Sequence, residues 1–192
     1  MKTRNPALIT LGIVSLLLTG CAAAANPGTD HTNGHNPASS QATASTAGGP
    51  SEASLMVCGD QPKDRLKAIL GLDTAPHTIN DWANNTFTCT YHLEQGALKI
   101  SVQEAADQAS ARTYFDADQA LAKNAKTIEG LTSLGFPAYE TAEGAAVFQK
   151  DSFVLTVDAS GLPATLGPNN ITKNALAYQL STTILACWVE HH

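Results

Sequence analysis

Alternating apolar and polar side chains predict a pair of neighbouring strands. From Thr86 to Glu94 every second residue is apolar, the pattern of a strand with one buried face. The alternation resumes from Leu98 to Val102 after Gln95-Gly96, so an antiparallel hairpin is expected. Two further strands are predicted at 145–149 and 153–158, joined by a tight turn at Lys150-Asp151-Ser152.

Apolar positions three or four residues apart predict three helices. The first covers 63–70, with Pro62 before it and Gly71 just after it. The second is an Ala-rich segment, 104–126, that contains neither Gly nor Pro. The third begins at Pro168-Asn169-Asn170. Its apolar stripe consists of Leu176, Leu180, Ile184 and Cys187. The stripe of the second helix is thinner and consists of Ala111, Tyr114 or Phe115, Leu121 and Ala125.

The order of these elements favours one fold class. A helix, a hairpin, a second helix, two or three strands and a final helix do not alternate one for one, as a parallel sheet would require. We therefore expect an α+β fold in which an antiparallel sheet is packed by helices on one face.

The N-terminal segment has the pattern of an export signal. Lys2 and Arg4 precede a mostly apolar run, 7–18, which is too short to span about 30 Å of hydrocarbon. The run ends in Leu18-Thr19-Gly20-Cys21, which resembles the bacterial lipobox: two small residues, then a Cys whose thiol takes a diacylglycerol through a thioether. A signal peptide at 1–20 and an acyl-chain (palmitate-type) anchor on Cys21 are therefore expected, with an ordinary secretory signal as the alternative.

The segment that follows predicts a tether. From Ala22 to Ser54 there is no Leu, Ile, Val, Met, Phe, Tyr or Trp, so the segment cannot offset the entropy of ordering by burying apolar side chains. We expect lipidated Cys21 and a tether at 21–54, and a domain at 55–192 held on the extracytoplasmic face of the cell membrane. The histidines of the tether, His31 and His35, are interpreted as solvated.

The cysteines of the domain are Cys58, Cys89 and Cys187. An exported domain favours oxidation. We predict a disulfide between Cys58 and Cys89, which would fasten the N-terminal end of the domain to the first strand. A bridge between Cys58 and Cys187 is the alternative, and otherwise Cys187 is interpreted as a buried thiol on the last helix.

Complete catalytic and metal-binding motifs are absent from the sequence. Asp116-Ala117-Asp118 lacks the third acid and the Gly of a calcium loop. Glu140 and Glu143 flank a predicted turn and could form a carboxylate pair. The remaining histidines lie in a predicted loop, on an exposed strand face and at the end of the chain: His77, His92, His191 and His192. We therefore expect no catalytic residue, no metal site and no cofactor, and the ligand-binding residues stay unknown at this level.

The sequence resembles the small, mycobacterial-type surface lipoproteins of actinobacteria that carry a cysteine-containing extracytoplasmic domain. Besides the lipobox, the resemblance depends on Cys58, on the strand Thr86-Phe87-Thr88-Cys89-Thr90-Tyr91, and on Leu134-Gly135-Phe136-Pro137-Ala138-Tyr139. It implies an α+β sandwich similar to PsbP-like domains, which commonly serve as non-catalytic adaptors or binding modules.

Charge and motifs together indicate a class of function. The formal net charge of −6 disfavours a nucleic-acid partner. We expect a non-enzymatic envelope lipoprotein that contacts the membrane through its lipid and binds an envelope protein or a small ligand. The alternatives are an envelope hydrolase with a site built on Glu140, Glu143 or His92, and a structural spacer.

Overall fold

The computed structural model describes residues 48–190, which form five α-helices and nine strands. The helices are α1 (Glu52–Leu55), α2 (Asp60–Leu70), α3 (Gln108–Leu121), α4 (Glu129–Thr132) and α5 (Lys173–Glu190). The strands are β1 (His77–Ala83), β2 (Thr86–Leu93), β3 (Gly96–Glu104), β4 (Lys126–Thr127), β5 (Ala138–Glu140), β6 (Ala145–Lys150), β7 (Phe153–Asp158), β8 (Thr165–Leu166) and β9 (Ile171–Thr172). A 3₁₀ turn, Met56–Cys58, connects α1 to α2.

Seven strands form one antiparallel sheet in the order β1-β2-β3-β7-β6-β5-β4, and β8 pairs with β9 separately. The two predicted strand pairs, β2 with β3 and β6 with β7, are confirmed. The predicted α+β class, an antiparallel sheet packed by helices, is confirmed as well.

Strand β1 was not predicted, and the expectation that His77 lies in a loop is wrong. The strand pairs with β2 through a two-residue turn at Asn84 and Asn85, whose φ values of 53° and 57° fit a tight hairpin. Because β1 is an edge strand with little buried surface, its side chains carry no apolar alternation that a sequence pattern could detect.

The main core lies between one face of the sheet and helices α1, α2 and α5. Phe148 and Phe153, from β6 and β7, contact the indole of Trp188 with ring centroids 5.7 and 5.5 Å apart, respectively. Three residues of the predicted stripe of the last helix, Leu176, Leu180 and Ile184, belong to this core, and the fourth, Cys187, is also buried. Strand side chains of the core include Phe87, Cys89, Tyr91, Leu98, Ile100, Val102, Leu155 and Val157.

The second face of the sheet is covered only in part. Helix α3 places Ala111 and Phe115 against Tyr139, Val147 and Val154 of the β5–β7 half. The corresponding side chains of β1–β3 are polar or exposed, in keeping with the alternation of side chains along a strand. Helix α3 and the bare half of this face therefore border each other.

Helix α3 is shorter than the predicted 104–126. Glu104 belongs to β3, and the carboxylate of Asp107 caps the helix by accepting a 2.7 Å hydrogen bond from Ser110 N–H. Leu121, predicted to be buried, is 84% exposed at the end of the helix. The Ala-rich composition indicated a helix but not its ends.

The final helix starts later than the residues 168–170 that were predicted to begin it. That segment lies between β8 and β9, and α5 begins at Lys173. Positive φ angles at Gly167 (66°) and Asn170 (50°) reverse the chain there, so the polar cluster marks a hairpin turn.

Helix α1 lies mostly before residue 55, where the sequence predicts the domain to begin. Ser51 caps α1, and both Ala53 and Ser54 are buried although neither is strongly apolar. The predicted signal peptide, Cys21, the tether up to residue 47 with its two histidines, and the two C-terminal histidines lie outside the described residues. Among the helices of residues 48–190, none has the length and apolar character needed to cross a membrane.

Candidate functional site

The residues suggested for a hydrolase site are not brought together. Glu140 pairs with Ala146 on the main-core side of the sheet, and its carboxylate accepts a 3.3 Å hydrogen bond from Asn174 Nδ2. Glu143 is exposed and borders the opposite side. His92 lies on the exposed face of β2, as predicted, with β3, β7 and β6 between its strand and β5.

The two acids of the incomplete calcium motif bond to different partners. Asp116 forms an exposed ion pair with Arg112, with Nε 2.8 Å from Oδ1. Asp118 instead accepts a 2.6 Å hydrogen bond from the hydroxyl of Tyr139. In the part of the chain that the structure describes, no group of three or more His, Cys, Asp or Glu side chains could hold a metal ion.

Cys58 and Cys89 form the predicted disulfide, with Cα atoms 5.5 Å apart. The alternative bridge to Cys187 is thereby excluded. Cys187 is buried on α5 as expected, and its thiol contacts the side chain of Gln61 and the carbonyl oxygen of Thr183. The bridge and the thiol both belong to the packing of the domain.

A cleft opens where the C-terminal end of α3 meets the β5–β7 half of the sheet. Its volume is about 330 Å³, within the usual range for small-ligand sites. Asp118 and Leu121 of α3, together with Ala122 just after it, form one wall, and Tyr139 and Thr156 belong to the floor. The remaining lining residues are Thr141, Glu143, Ala145, Val147, Asp158 and Ser160. We call this site the α3 cleft.

The α3 cleft is acidic. Asp118, Glu143 and Asp158 line it, and none of its lining residues is Lys or Arg. Asp158 Oδ1 accepts a 2.8 Å hydrogen bond from Ser160 N–H, which orients that carboxylate. Lys99 is the cross-strand neighbour of Asp158 on the same face. Three carboxylates around a small depression favour a cationic group over an anionic one.

Tyr139 supplies the buried hydroxyl of the cleft. Burial raises the pKa of its phenol well above the ordinary value, and the hydrogen bond and negative charge of Asp118 raise it further. Burial and Asp118 also raise the pKa of Tyr114, one turn before Asp118 on α3. Both phenols therefore stay protonated at neutral pH and act as hydrogen-bond donors, not as bases.

No protein-family model matches this chain, and no curated protein or solved structure matches it significantly. The chemistry of the cleft is therefore inferred from the arrangement of its own side chains.

A second groove lies on the other side of α3, with a volume of about 660 Å³. Its basic groups are already paired within the chain, Arg112 with Asp116 and Lys150 with Asp151, and the carboxylate of its Asp107 caps α3. Its walls also include Phe136 and Pro137. Since its basic groups are ion-paired and Asp107 is engaged at the helix cap, the groove offers a ligand fewer available charges than the α3 cleft does.

Sequence reasoning missed most of the α3 cleft. Asp118 was noted only as half of an incomplete motif, and Tyr139 only within the family-like stretch. A Tyr between Ala138 and Glu140 in a short strand was a usable signal, because a buried Tyr needs a partner for its hydroxyl. The partner comes from a helix 21 residues earlier, which no local pattern specifies.

Proposed function

We propose that this chain is a lipid-anchored lipoprotein of the bacterial cell envelope, of the actinobacterial type, whose domain binds a ligand in the α3 cleft without catalysing a reaction. The ligand is a small molecule, or a short segment of an envelope protein, that carries a cationic group. The observation that carries the binding proposal is the acidic cleft with its buried phenol donor.

The sequence of the first 21 residues supports the anchor. The basic start, the short apolar run and Leu18-Thr19-Gly20-Cys21 occur in the order that lipoprotein processing requires. Two or three acyl chains on Cys21 would hold the protein on the outer side of the membrane, where one chain alone binds only marginally. The tether would then carry the domain away from the lipid surface.

The chemistry of the cleft supports binding over catalysis. Its buried phenol is held protonated, and that phenol is already bonded to Asp118, the nearest carboxylate. Two residues of the alternative hydrolase do not line the cleft: Glu140 points to the opposite side of β5 from Tyr139, and His92 lies on β2. The carboxylates can instead attract a cation, while Leu121 and Val147 contact its apolar part.

The anchor is tested by expressing the full chain and Cys21→Ser in an actinobacterial host with labelled palmitate. The wild-type protein is expected to incorporate the label and to remain with the membrane fraction. The variant is expected to lose both properties. Unlabelled wild-type protein, or an intact leader in its mass spectrum, contradicts the anchor.

Binding is tested on the full chain with two cationic probes, cadaverine and N-acetyl-lysine amide, by isothermal titration calorimetry. Thr156→Trp places an indole over the floor of the cleft and should abolish binding. Thr90→Trp is the matched control, because it adds the same side chain to the same sheet face on β2, outside the cleft. Asp158→Asn should weaken binding about tenfold if a charge contact of about 1.4 kcal/mol is lost.

Two outcomes contradict the binding proposal. One is the absence of any interaction with either probe, which is the result expected of a structural spacer. The other is equal binding by the wild-type protein and Thr156→Trp, which would place the probe elsewhere.

A further inference from the structure

We infer that His77 and His92 together form a binding site for a late first-row divalent cation, Cu²⁺ or Zn²⁺. The two histidines are direct cross-strand partners at the open end of the β1–β2 hairpin. Both are exposed, and both point to the sheet face that α3 leaves bare. Two neighbouring strands thus present two imidazoles side by side to solvent.

The spacing of the rings fits a shared metal ion. Their centroids are 5.7 Å apart, with an angle of 41° between the planes. With metal–nitrogen bonds of about 2.0–2.1 Å, each ring centre lies about 3.2 Å from the ion, so two rings on a tetrahedral ion have centres about 5.2 Å apart. Small rotations of two exposed side chains close the difference of about 0.5 Å.

The number of ligands determines the character of the site. Within residues 48–190 there is no group of three metal-binding side chains, so water would complete the coordination. A two-histidine site with open positions binds an ion reversibly, unlike a closed structural zinc site. Imidazole nitrogen favours Cu²⁺ and Zn²⁺ over Mg²⁺ and Ca²⁺, which prefer oxygen, and Cu²⁺ is expected to bind most tightly.

This site is separate from the α3 cleft. Its ligands belong to β1 and β2, while the cleft is lined by α3, the β5–β7 strands and the segments beside them, and β3 lies between the two sets. The metal site therefore does not depend on the proposed cationic ligand.

The test starts from a full-length reference protein in which the other histidines are replaced: His31→Asn, His35→Asn, His191→Asn and His192→Asn. The only remaining imidazoles are then the proposed pair. Calorimetric titration with CuCl₂ and with ZnCl₂ is expected to show one ion per chain. Because an ion that bridges two paired strands binds the folded state better than the unfolded one, Tm should rise by about 2–4 °C in excess ion.

Single changes in the reference protein identify the ligands. His77→Asn and His92→Asn should each weaken binding at least about tenfold and remove the rise in Tm. Ile79→Asn is the matched control, since it places the same side chain on the same face of the same strand without removing an imidazole. That variant should bind as the reference does. Gln in place of Asn provides a second pair of variants, and equal Tm values in EDTA show that each variant is folded.

Electron paramagnetic resonance of the Cu²⁺ form should show two nitrogen ligands in the reference and one in either single variant. Unchanged affinity in His77→Asn or His92→Asn, or a reference protein whose Tm does not respond to either ion, would overturn the proposal.

Discussion

The indole Nε1–H of Trp188 donates a 3.0 Å hydrogen bond to the carbonyl oxygen of Ala53, 135 residues earlier in the chain. The last helix is thereby bonded directly to the first. The same N-terminal segment is also held to the sheet by the Cys58–Cys89 disulfide and by a hydrogen bond from the Tyr91 hydroxyl to the Val57 carbonyl. The N-terminal segment of the domain is therefore linked directly both to the sheet and to α5.

The contribution of the hydrogen bond from Trp188 to stability can be measured by removing its indole donor. Trp188→Phe keeps a ring against Phe148 and Phe153 but removes the hydrogen bond to Ala53, which is buried. We expect the free energy of unfolding to fall by about 1–3 kcal/mol in urea titrations. Trp82→Phe, on the partly exposed edge strand, is the control and should change it by less than about 1 kcal/mol. Equal losses in the two variants would show that the bond to Ala53 contributes nothing specific.

The carboxylate of Glu104 should stabilise the position of α1 against the sheet. Its Oε1 accepts hydrogen bonds from Ser51 N–H (2.7 Å), Ser51 Oγ (2.8 Å) and Ser54 Oγ (2.5 Å). Glu104→Gln keeps the shape but removes the charge that strengthens these bonds, so we expect a loss of about 1–3 kcal/mol.

Hydrogen exchange should locate that loss in residues 51–58, with faster exchange there than in β6 and β7. The exposed Glu94→Gln in the hairpin turn is the matched control and should leave exchange unchanged. A uniform change across the sheet would argue against a local role for Glu104.

Removal of the disulfide should lower stability substantially. Cys58 and Cys89 are 31 residues apart, so the chain-entropy estimate for the bridge is about 3.7 kcal/mol. In urea titrations, the free energy of unfolding of Cys58→Ser should be lower than that of the wild-type protein by close to this amount. The wild-type protein should show the same decrease only after a reductant is added. Non-reducing peptide mapping should recover Cys58 and Cys89 in one linked pair, and Cys187 should react with iodoacetamide only after unfolding. A Cys58–Cys187 peptide would contradict the bridge.

Alkaline pH should unfold the domain through Tyr91 and Tyr139. Burial raises the pKa of both phenols above the ordinary value of about 10, and Asp118 adds to the effect at Tyr139. Below pH about 10 both states keep these protons and the contribution is complete. Above it the unfolded state releases them first, so stability falls with rising pH, with a slope that approaches about 1.4 kcal/mol per pH unit for each Tyr.

The slope of the free energy of unfolding between pH 10 and 11 tests this directly. Because the unfolded phenol is only partly ionised in this interval, Tyr91→Phe and Tyr139→Phe should each reduce the slope by about 1 kcal/mol per pH unit, and the double variant by about twice that. An unchanged slope in the double variant would assign alkaline unfolding to other groups.

Sequence reasoning succeeded where burial leaves a regular pattern. The alternation of Phe87, Cys89 and Tyr91 predicted β2 because one face of that strand is buried. The apolar stripe predicted α5 for the same reason, because one face of that helix is buried. The sequence pattern did not predict β1, because the side chains of this strand are mostly exposed. The strand depends instead on its turn and on pairing with β2.

The candidate sites depended on contacts between distant segments. Asp118 and Tyr139 were both visible in the sequence, but only the packing of α3 on β5 places their oxygen atoms 2.6 Å apart. His77 and His92 meet only because the register of the β1–β2 hairpin aligns them, and a shift of one residue would turn one of them to the other face.

The amino-acid sequence alone determined the α+β class and the principal helices and strands, because these follow from local periodicity, and it favoured one of two possible disulfides, between which the tertiary structure decided. The tertiary structure decided the unpredicted edge strand, the ends of the helices, the α3 cleft and the paired imidazoles. Those features depend on strand register and on helix-to-sheet packing, which combine residues that are far apart in the chain.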